Sequence, residues 1–295
     1  MTSTAHIRWR PRAAARHLSH KRWWLGLRAA ALAGAAGLCV GGCGGIPGDA
    51  VARVNGSSIT AATLRHWMLI AASSTTGAAA ASTALPQPPR YRACIAGLAA
   101  REPKPAKGQK PPTDAQLKAQ CAQQYTALKD EALSYLISAE WLLQESAALG
   151  VRVSDGEVHA DFVKVRKESF ANSGAFERFL RTSDYSVSDL LLRIKLETLS
   201  QRLEQKVLRG GSVSQAAIAR YYREHKARFG RQSLAQAKPA IKRELQTTGQ
   251  ERRFQSFKAA YRKRWKERTE CRAGYVVSGC RQFKAAKGAA GAPGE

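Results

Sequence analysis

The sequence predicts a mainly α-helical protein with one long helix and a small N-terminal β-hairpin. Three observations support this class: repeated helix-capping signals, apolar residues recurring every three or four positions, and a single strand–turn–strand pattern at residues 50–59. With 295 residues, 44% of them apolar, the chain is long enough to bury a core.

The first 42 residues are typical of an export signal. Residues 1–28 hold seven basic residues and no acidic residue, and an apolar run from Ala29 to Val40 follows. That run is shorter than the roughly 18–20 residues that span a bilayer. Val40-Gly-Gly-Cys43 resembles the bacterial lipobox, which implies that Cys43 is lipidated; the alternative is an ordinary secretory peptide cut nearby. We therefore expect an extracytoplasmic protein, lipid-anchored to the outer face of the cell membrane.

Capping signals place the helices along the exported chain. After a predicted hairpin with an Asn55-Gly56 turn, Thr60 caps the first helix. Capping boxes at Thr113 and Ser154 each open a helix, and the first of these two is the long one, about 50 Å from end to end. Further helices are expected around Phe176 and Phe179, over Val187–Leu208 after a start signal at Asp184-Tyr185, from Ser214 to Phe229, and from about Leu234 to Arg268.

Composition shifts divide the chain into segments. The helical domain carries two loops rich in proline and small residues, in which the prolines prevent helix formation. The expected segments are a signal (1–42), a tether (43–49), a helical domain (50–229, with loops at 73–92 and 102–112), a basic C-terminal helix and turn packed on the same domain (230–283), and a disordered tail (284–295).

Four cysteines remain outside the signal and the lipobox, and an exported chain tends to pair them. Three connectivities are possible. The local one, Cys94–Cys121 with Cys271–Cys280, is the simplest, and loop closure makes its two bonds worth roughly 3.5 and roughly 2.7 kcal/mol.

No chemistry-bearing motif points to an enzyme. The chain lacks the phosphate-binding glycine loops, the G-x-S-x-G elbow, the H-E-x-x-H zinc motif and any C-x-x-C pair. His66, His159 and His225 are scattered over three predicted helices, and the acidic residues between Glu140 and Asp161 are more typical of helix caps and solvated faces. We predict no catalytic residue, no metal site and no cofactor.

An ordered set of segments resembles the SurA/PrsA-type extracytoplasmic foldases. The set comprises Ala50-Val-Ala-Arg-Val-Asn-Gly-x-x-Ile-Thr60 before a helix with Trp67, Gly150-Val-x-Val-Ser-Asp-Gly-Glu157 after a long helix, Val213–Tyr222 before Phe229, and a last helix ending in Trp265. The resemblance covers about residues 48–283. It implies a SurA N-terminal-like helical chaperone module, built from N-terminal and C-terminal segments packed together, that cradles unfolded or newly exported polypeptides.

One departure from those relatives bears on catalysis. Many of them carry a parvulin prolyl-isomerase domain of about a hundred residues after the Tyr-Tyr helix, whereas here four residues separate Phe229 from the last helix. We therefore expect a chaperone that binds clients without catalysis. The alternatives are a peptidyl-prolyl cis-trans isomerase and a structural cell-envelope lipoprotein.

Large apolar side chains are the candidates for client contact, because burial of apolar surface binds unfolded chains without sequence readout. For any one of them taken singly, a place in an ordinary core is favoured. The candidates are Trp67, Met68, Trp141, Phe162, Phe176, Phe179, Tyr221, Tyr222 and Trp265.

Charge is concentrated at the C-terminal end. The net charge of +26 falls to +19 without the signal, and +14 of that lies in the 83 residues from Val213 onward. The basic stretch from Arg252 to Arg268 is a solvated helix face, a contact for anionic lipid or wall polymer, or a nucleic-acid site. Export makes the last of these the least favoured, so no nucleic-acid partner is expected.

Overall fold

The computed structural model describes residues 46, 48–76, 85–101 and 110–284, and among them it confirms the mainly α-helical class. The signal, Cys43 and nearly all of the predicted tail lie outside the described residues, as do parts of both predicted loops. The elements are β1 (Ala50–Val54), β2 (Ser57–Thr60), α1 (Ala61–Thr76), α2 (Arg92–Arg101), α3 (Asp114–Ala148), α4 (Asp155–Ser169), α5 (Ser173–Ser183), α6 (Val187–Leu208), α7 (Gln215–Glu224), α8 (Lys226–Phe229), α9 (Leu234–Glu267) and β3 (Thr269–Cys271).

Side-chain caps begin most of the long helices where the sequence predicts. Thr113 and Ser154 form reciprocal capping boxes with Gln116 and Glu157. A further box at Ser186, with Asp189, begins α6. The predicted start signal at Asp184 is wrong: Asp184 is the left-handed residue that ends α5, with φ +58°.

A small antiparallel sheet joins the two ends of the described chain. The predicted hairpin of β1 and β2 turns at Asn55-Gly56, both with positive φ, and β3 adds a third strand on the other side of β1. Strand β3 was not predicted. Arg53 on β1 pairs with Glu270 on β3 at 2.9 Å, across 217 positions of sequence.

Three apolar clusters follow one another along α3 and α9. The sheet cluster joins the sheet to α1, α3 and the C-terminal turn, the middle cluster joins α4 to α6 and the end of α3, and the end cluster joins α7 and α8 to the start of α9. Helix α9 contributes Ile241 to the end cluster, Phe257 to the middle cluster and Trp265 to the sheet cluster. This one helix therefore ties all three clusters together.

The cysteines form the local pairing, Cys94–Cys121 and Cys271–Cys280. The first bond ties α2, a helix that was not predicted, to α3. The loop prediction for 73–92 is also wrong at both edges, since residues 73–76 continue α1 and residue 92 begins α2. The predicted helix from Ser214 to Phe229 is two helices, because the backbone breaks at His225.

Candidate polypeptide-binding surface

Six of the nine predicted client-binding side chains lie in the core. Each of the six has at most 8% of its surface exposed, so in this structure they lie in the core and not in an open cleft. The physical reason is that helical spacing puts a ring on a core face as readily as in a cleft. The six are Trp67, Met68, Trp141, Phe162, Phe176 and Trp265.

The hydrogen bonds of Trp265 and Trp141 are structural. The Trp265 Nε1–H donates to the carboxylate of Glu145 at 2.8 Å, and Arg264 pairs with the same buried carboxylate at 2.6 Å. The Trp141 Nε1–H donates to the Thr269 hydroxyl at 2.8 Å. These bonds hold α3 against the end of α9 and against β3, which explains why Glu145 is buried within the acidic stretch of the sequence.

Tyr221 and Tyr222 are half-buried and hold the end cluster together. Tyr221 donates its hydroxyl hydrogen to Glu244 and Tyr222 donates to the carbonyl of Gln232, both at 2.5 Å. The Tyr222 ring stacks on Phe229 with centroids 5.5 Å apart. Both hydroxyls and both rings are thus engaged within the protein.

Phe179 belongs to a continuous row of half-buried rings. The row consists of Phe170, Phe179 and Tyr185, with centroid separations of 5.2 and 5.8 Å; we call it the aromatic row. At one end Phe170 meets the buried Phe176 at 5.2 Å, and at the other Tyr185 meets the buried Trp67 at 6.4 Å. The row therefore rests on core rings, and each of its three residues keeps part of its surface exposed.

Helix α5 carries the centre of this row and is lightly anchored. It begins at the Asn172 cap, whose side chain accepts a hydrogen bond from the backbone N–H of Ala175. Phe176, Phe179 and Leu180 share one face at helical spacing, but only Phe176 is fully buried. The opposite face holds charged residues, so α5 is an amphipathic helix whose apolar face is only partly covered.

A polar group lies beside the row, where α1 meets α6. His66 Nε2 and Asp189 Oδ2 are 2.9 Å apart, and the Ser186 side chain and backbone donate to the same oxygen. Burial alone would raise the pKa of Asp189, but these hydrogen bonds lower it below its usual range. Ser186 caps a helix here, and its hydroxyl bonds to Asp189 and not to the histidine, so the serine–histidine hydrogen bond of a hydrolase triad is not formed among these residues.

Tyr135 packs against Trp67 behind the row, with ring centroids 4.5 Å apart. Its buried hydroxyl has no hydrogen-bond partner among the described residues. Burial raises the pKa of Tyr135 to about 12, although Arg193 opposes that shift. The phenol is therefore neutral at physiological pH.

An open apolar cavity of about 290 Å³ borders α1 on another face. Met68, one of the predicted client-binding residues, forms part of its wall while remaining 3% exposed. The cavity is lined by Ala61, Leu64, Arg65, Met68, Leu85, Pro86, Gln87, Pro88, Tyr125 and Tyr275.

The part of the chain that the structure describes contains no cluster of three or more His, Cys, Asp or Glu side chains placed to hold a metal ion. None of the described helices combines the length and apolar composition that crossing a bilayer requires. His66, His159 and His225 lie on α1, on α4 and at the α7–α8 junction, with no hydrogen bond joining them to each other.

Comparison with known proteins returned no match: no family model, no curated protein and no solved structure corresponds to this chain.

Proposed function

We propose that this protein is an exported, lipid-anchored chaperone that binds unfolded or newly exported polypeptides without catalysis. The observation that supports the proposal best is the aromatic row, in which three large rings in contact are each only half-buried. Apolar area contributes about 25 cal/mol per Å² when a partner covers it, and it does so without reading a sequence. Such a surface suits varied unfolded segments.

The joining of the chain ends gives independent support. The resemblance of the segments at 50–67 and 213–222 to the SurA/PrsA-type foldases implies a module assembled from both ends of the chain. The pairing of β1 with β3 and the bond from Trp265 to Glu145 provide that arrangement. Four residues separate α8 from α9, so no catalytic insert lies at the place where many of those relatives carry one.

Client binding is proposed to occur over α5. A client's apolar side chain would cover the exposed parts of Phe179 and Leu180, while the exposed Arg178 and Arg181 on the same helix attract acidic groups of the client. Because Phe176 is the one fully buried side chain of α5, small shifts of this helix cost little apolar contact. A surface that adjusts in this way accepts clients of different shape.

The test is a binding measurement with a matched pair of variants. Phe179→Ser removes a half-buried ring from the row, whereas Phe254→Ser removes a half-buried ring on α9 that belongs to none of the three clusters. For a labelled, permanently unfolded polypeptide, we expect Phe179→Ser to weaken binding roughly fivefold, for about 40 Å² of lost apolar contact, and Phe254→Ser to change nothing. Fluorescence anisotropy measures the dissociation constants.

Two other outcomes contradict the proposal. Failure of the wild-type chain to suppress aggregation of a denatured model protein, even in stoichiometric excess, favours a structural envelope lipoprotein. Clear acceleration of proline-peptide isomerisation by the purified chain favours the isomerase.

A further inference from the structure

Three cations at the C-terminal end of the basic stretch are engaged within the protein. Arg264 pairs with Glu145, while Lys266 and Arg268 lie over the rings of Phe283 and Trp265 at 5.4 and 5.5 Å. These cations brace the sheet cluster, so the whole of α9 is not one free basic surface.

The other end of α9 differs. We call residues 209–253, which comprise α7, α8 and the first part of α9, the cationic end. They hold eleven basic and three acidic residues. The two ion pairs found there, both on the surface, are Arg228–Glu244 at 3.2 Å and Arg220–Glu224 at 4.0 Å.

Eight of these cations are exposed and have no carboxylate partner among the described residues, and Arg231, Lys238, Lys242 and Arg243 are among them. Leu234 has 37% of its surface exposed, which is unusual for a large apolar residue in this structure. Leu234, Lys238 and Lys242 are spaced four residues apart, so they form one strip along α9. The strip thus presents an apolar side chain at one end of a row of lysines.

We propose that this strip docks the cationic end on an anionic lipid surface. Lysines beside an exposed leucine suit a bilayer interface, where the charges meet anionic headgroups and the apolar side chain enters the acyl boundary. Binding of single-stranded nucleic acid would require exposed stacking rings. The rings of this end, those of Tyr221, Tyr222 and Phe229, instead pack into the end cluster.

The placement of the strip adds to the proposed function. Helix α9 is about 50 Å long, and its other end lies at the sheet, where Arg272 donates to the carbonyl of Gly48 close to the proposed tether. If Cys43 carries lipid, as the proposed function holds, the strip is a second attachment to the bilayer, at the end of α9 that is remote from Gly48. The strip's own affinity for lipid does not depend on that anchor.

The experiment uses the chain from position 43 onward with Cys43→Ser, so that no lipid is attached. Co-sedimentation measures its partition onto vesicles of phosphatidylcholine alone or with 30% phosphatidylglycerol. The strip variant replaces the two lysines of the strip and two arginines close to it in sequence. Its changes are Arg231→Gln, Lys238→Gln, Lys242→Gln and Arg243→Gln. The control variant removes four exposed cations from α3, α4 and the α3–α4 loop, by Lys118→Gln, Arg152→Gln, Lys164→Gln and Lys167→Gln, for the same change in net charge.

We expect wild type to bind the anionic vesicles and not the neutral ones, and to be released by 0.5 M salt. The strip variant should lose roughly 100-fold or more in partition, since each basic residue near such a surface contributes about fivefold. The control should lose less than about threefold, and Leu234→Ser should lose several-fold. Circular dichroism shows whether each variant is folded.

Equal binding to both vesicle types, or equal losses for the strip and control variants, would overturn the proposal. The proposal would also be overturned if the wild type did not bind vesicles but bound polyglutamate, since its partner would then be an acidic polypeptide. Because no client is present, the result is separate from the test on the aromatic row.

Discussion

The sheet end and the cationic end of this protein are built on opposite principles. The sheet cluster contains nineteen buried residues, from both ends of the described chain, and a disulfide. The end cluster contains three, Ile218, Ala237 and Ile241, beneath a surface rich in cations. Apolar burial stabilises the first end, whereas repulsion among its excess positive charges destabilises the second.

The difference shows how one helix serves two purposes. Helix α9 begins at Leu234 in a thinly packed region, and Trp265 anchors its other end at the sheet. Regions with few buried contacts open at lower free energy than the global transition. We therefore expect the cationic end to open and close while the sheet end stays folded.

The largest predicted effect is at Trp265. Its side chain is 2% exposed, so Trp265→Ala should lower the free energy of global unfolding by about 4 kcal/mol. The matched change Ile241→Ala removes a side chain that is equally buried but lies in the end cluster. It should speed hydrogen exchange in α7 and leave the global transition in urea nearly unchanged. Equal losses in urea for the two variants would contradict the comparison.

The next effect concerns the C-terminal disulfide. Replacing Cys271 and Cys280 together by alanine should cost about 2.7 kcal/mol, because the nine-residue separation no longer restrains the unfolded chain. The loss should appear in chemical unfolding of the whole molecule. If the variant instead exchanged hydrogen faster only in α7 and α8, with its global unfolding unchanged, the turn would not support the sheet end.

The smallest effect is a pH dependence. The folded pKa of Asp189 lies below its ordinary value of 3.8, so its stabilisation is complete above about pH 4 and is lost as pH falls through the folded pKa. Glu157 acts in the same direction, since hydrogen bonds from Arg202 and Ser154 lower its pKa to about 2. Asp189→Asn should lower the free energy of unfolding by about 1 kcal/mol at pH 7. In a plot of melting temperature against pH, the decline on the acid side (the acid limb) should become less steep.

A matched variant locates this pH effect. The pKa of Glu244, in the cationic end, is also lowered by hydrogen bonds, from Tyr221 and Arg228. Glu244→Gln should change exchange rates in α7 without changing the acid limb of the global transition. An acid limb that is unaltered in Asp189→Asn would show that the contact between α1 and α6 does not limit stability.

Local signals made much of the fold predictable. The capping boxes at Thr113 and Ser154 and the Asn55-Gly56 turn depend on neighbouring residues, so the sequence predicts them where they occur. The span Val187–Leu208 also agrees, although the start signal predicted for it at Asp184 is wrong.

What escaped prediction depends on distant partners. Strand β3 has three residues and exists because β1 lies beside it, and α2 is short and tied by Cys94 to a helix beyond a proline-rich segment. The exposure of the candidate site residues could not be predicted for a similar reason. Periodicity shows that Trp67 or Phe176 lies on an apolar face, but only packing decides whether that face is covered.

The pairing of β1 with β3 has a consequence for biogenesis. If the chain is exported N-terminus first, as proposed, residue 50 emerges long before residue 271, so its first hairpin emerges without the strand and tryptophan that complete its core. Assembly of the sheet must await the end of translocation, since it closes a loop of more than two hundred residues. On the proposed route of export, this protein is itself an incompletely folded polypeptide during its own maturation.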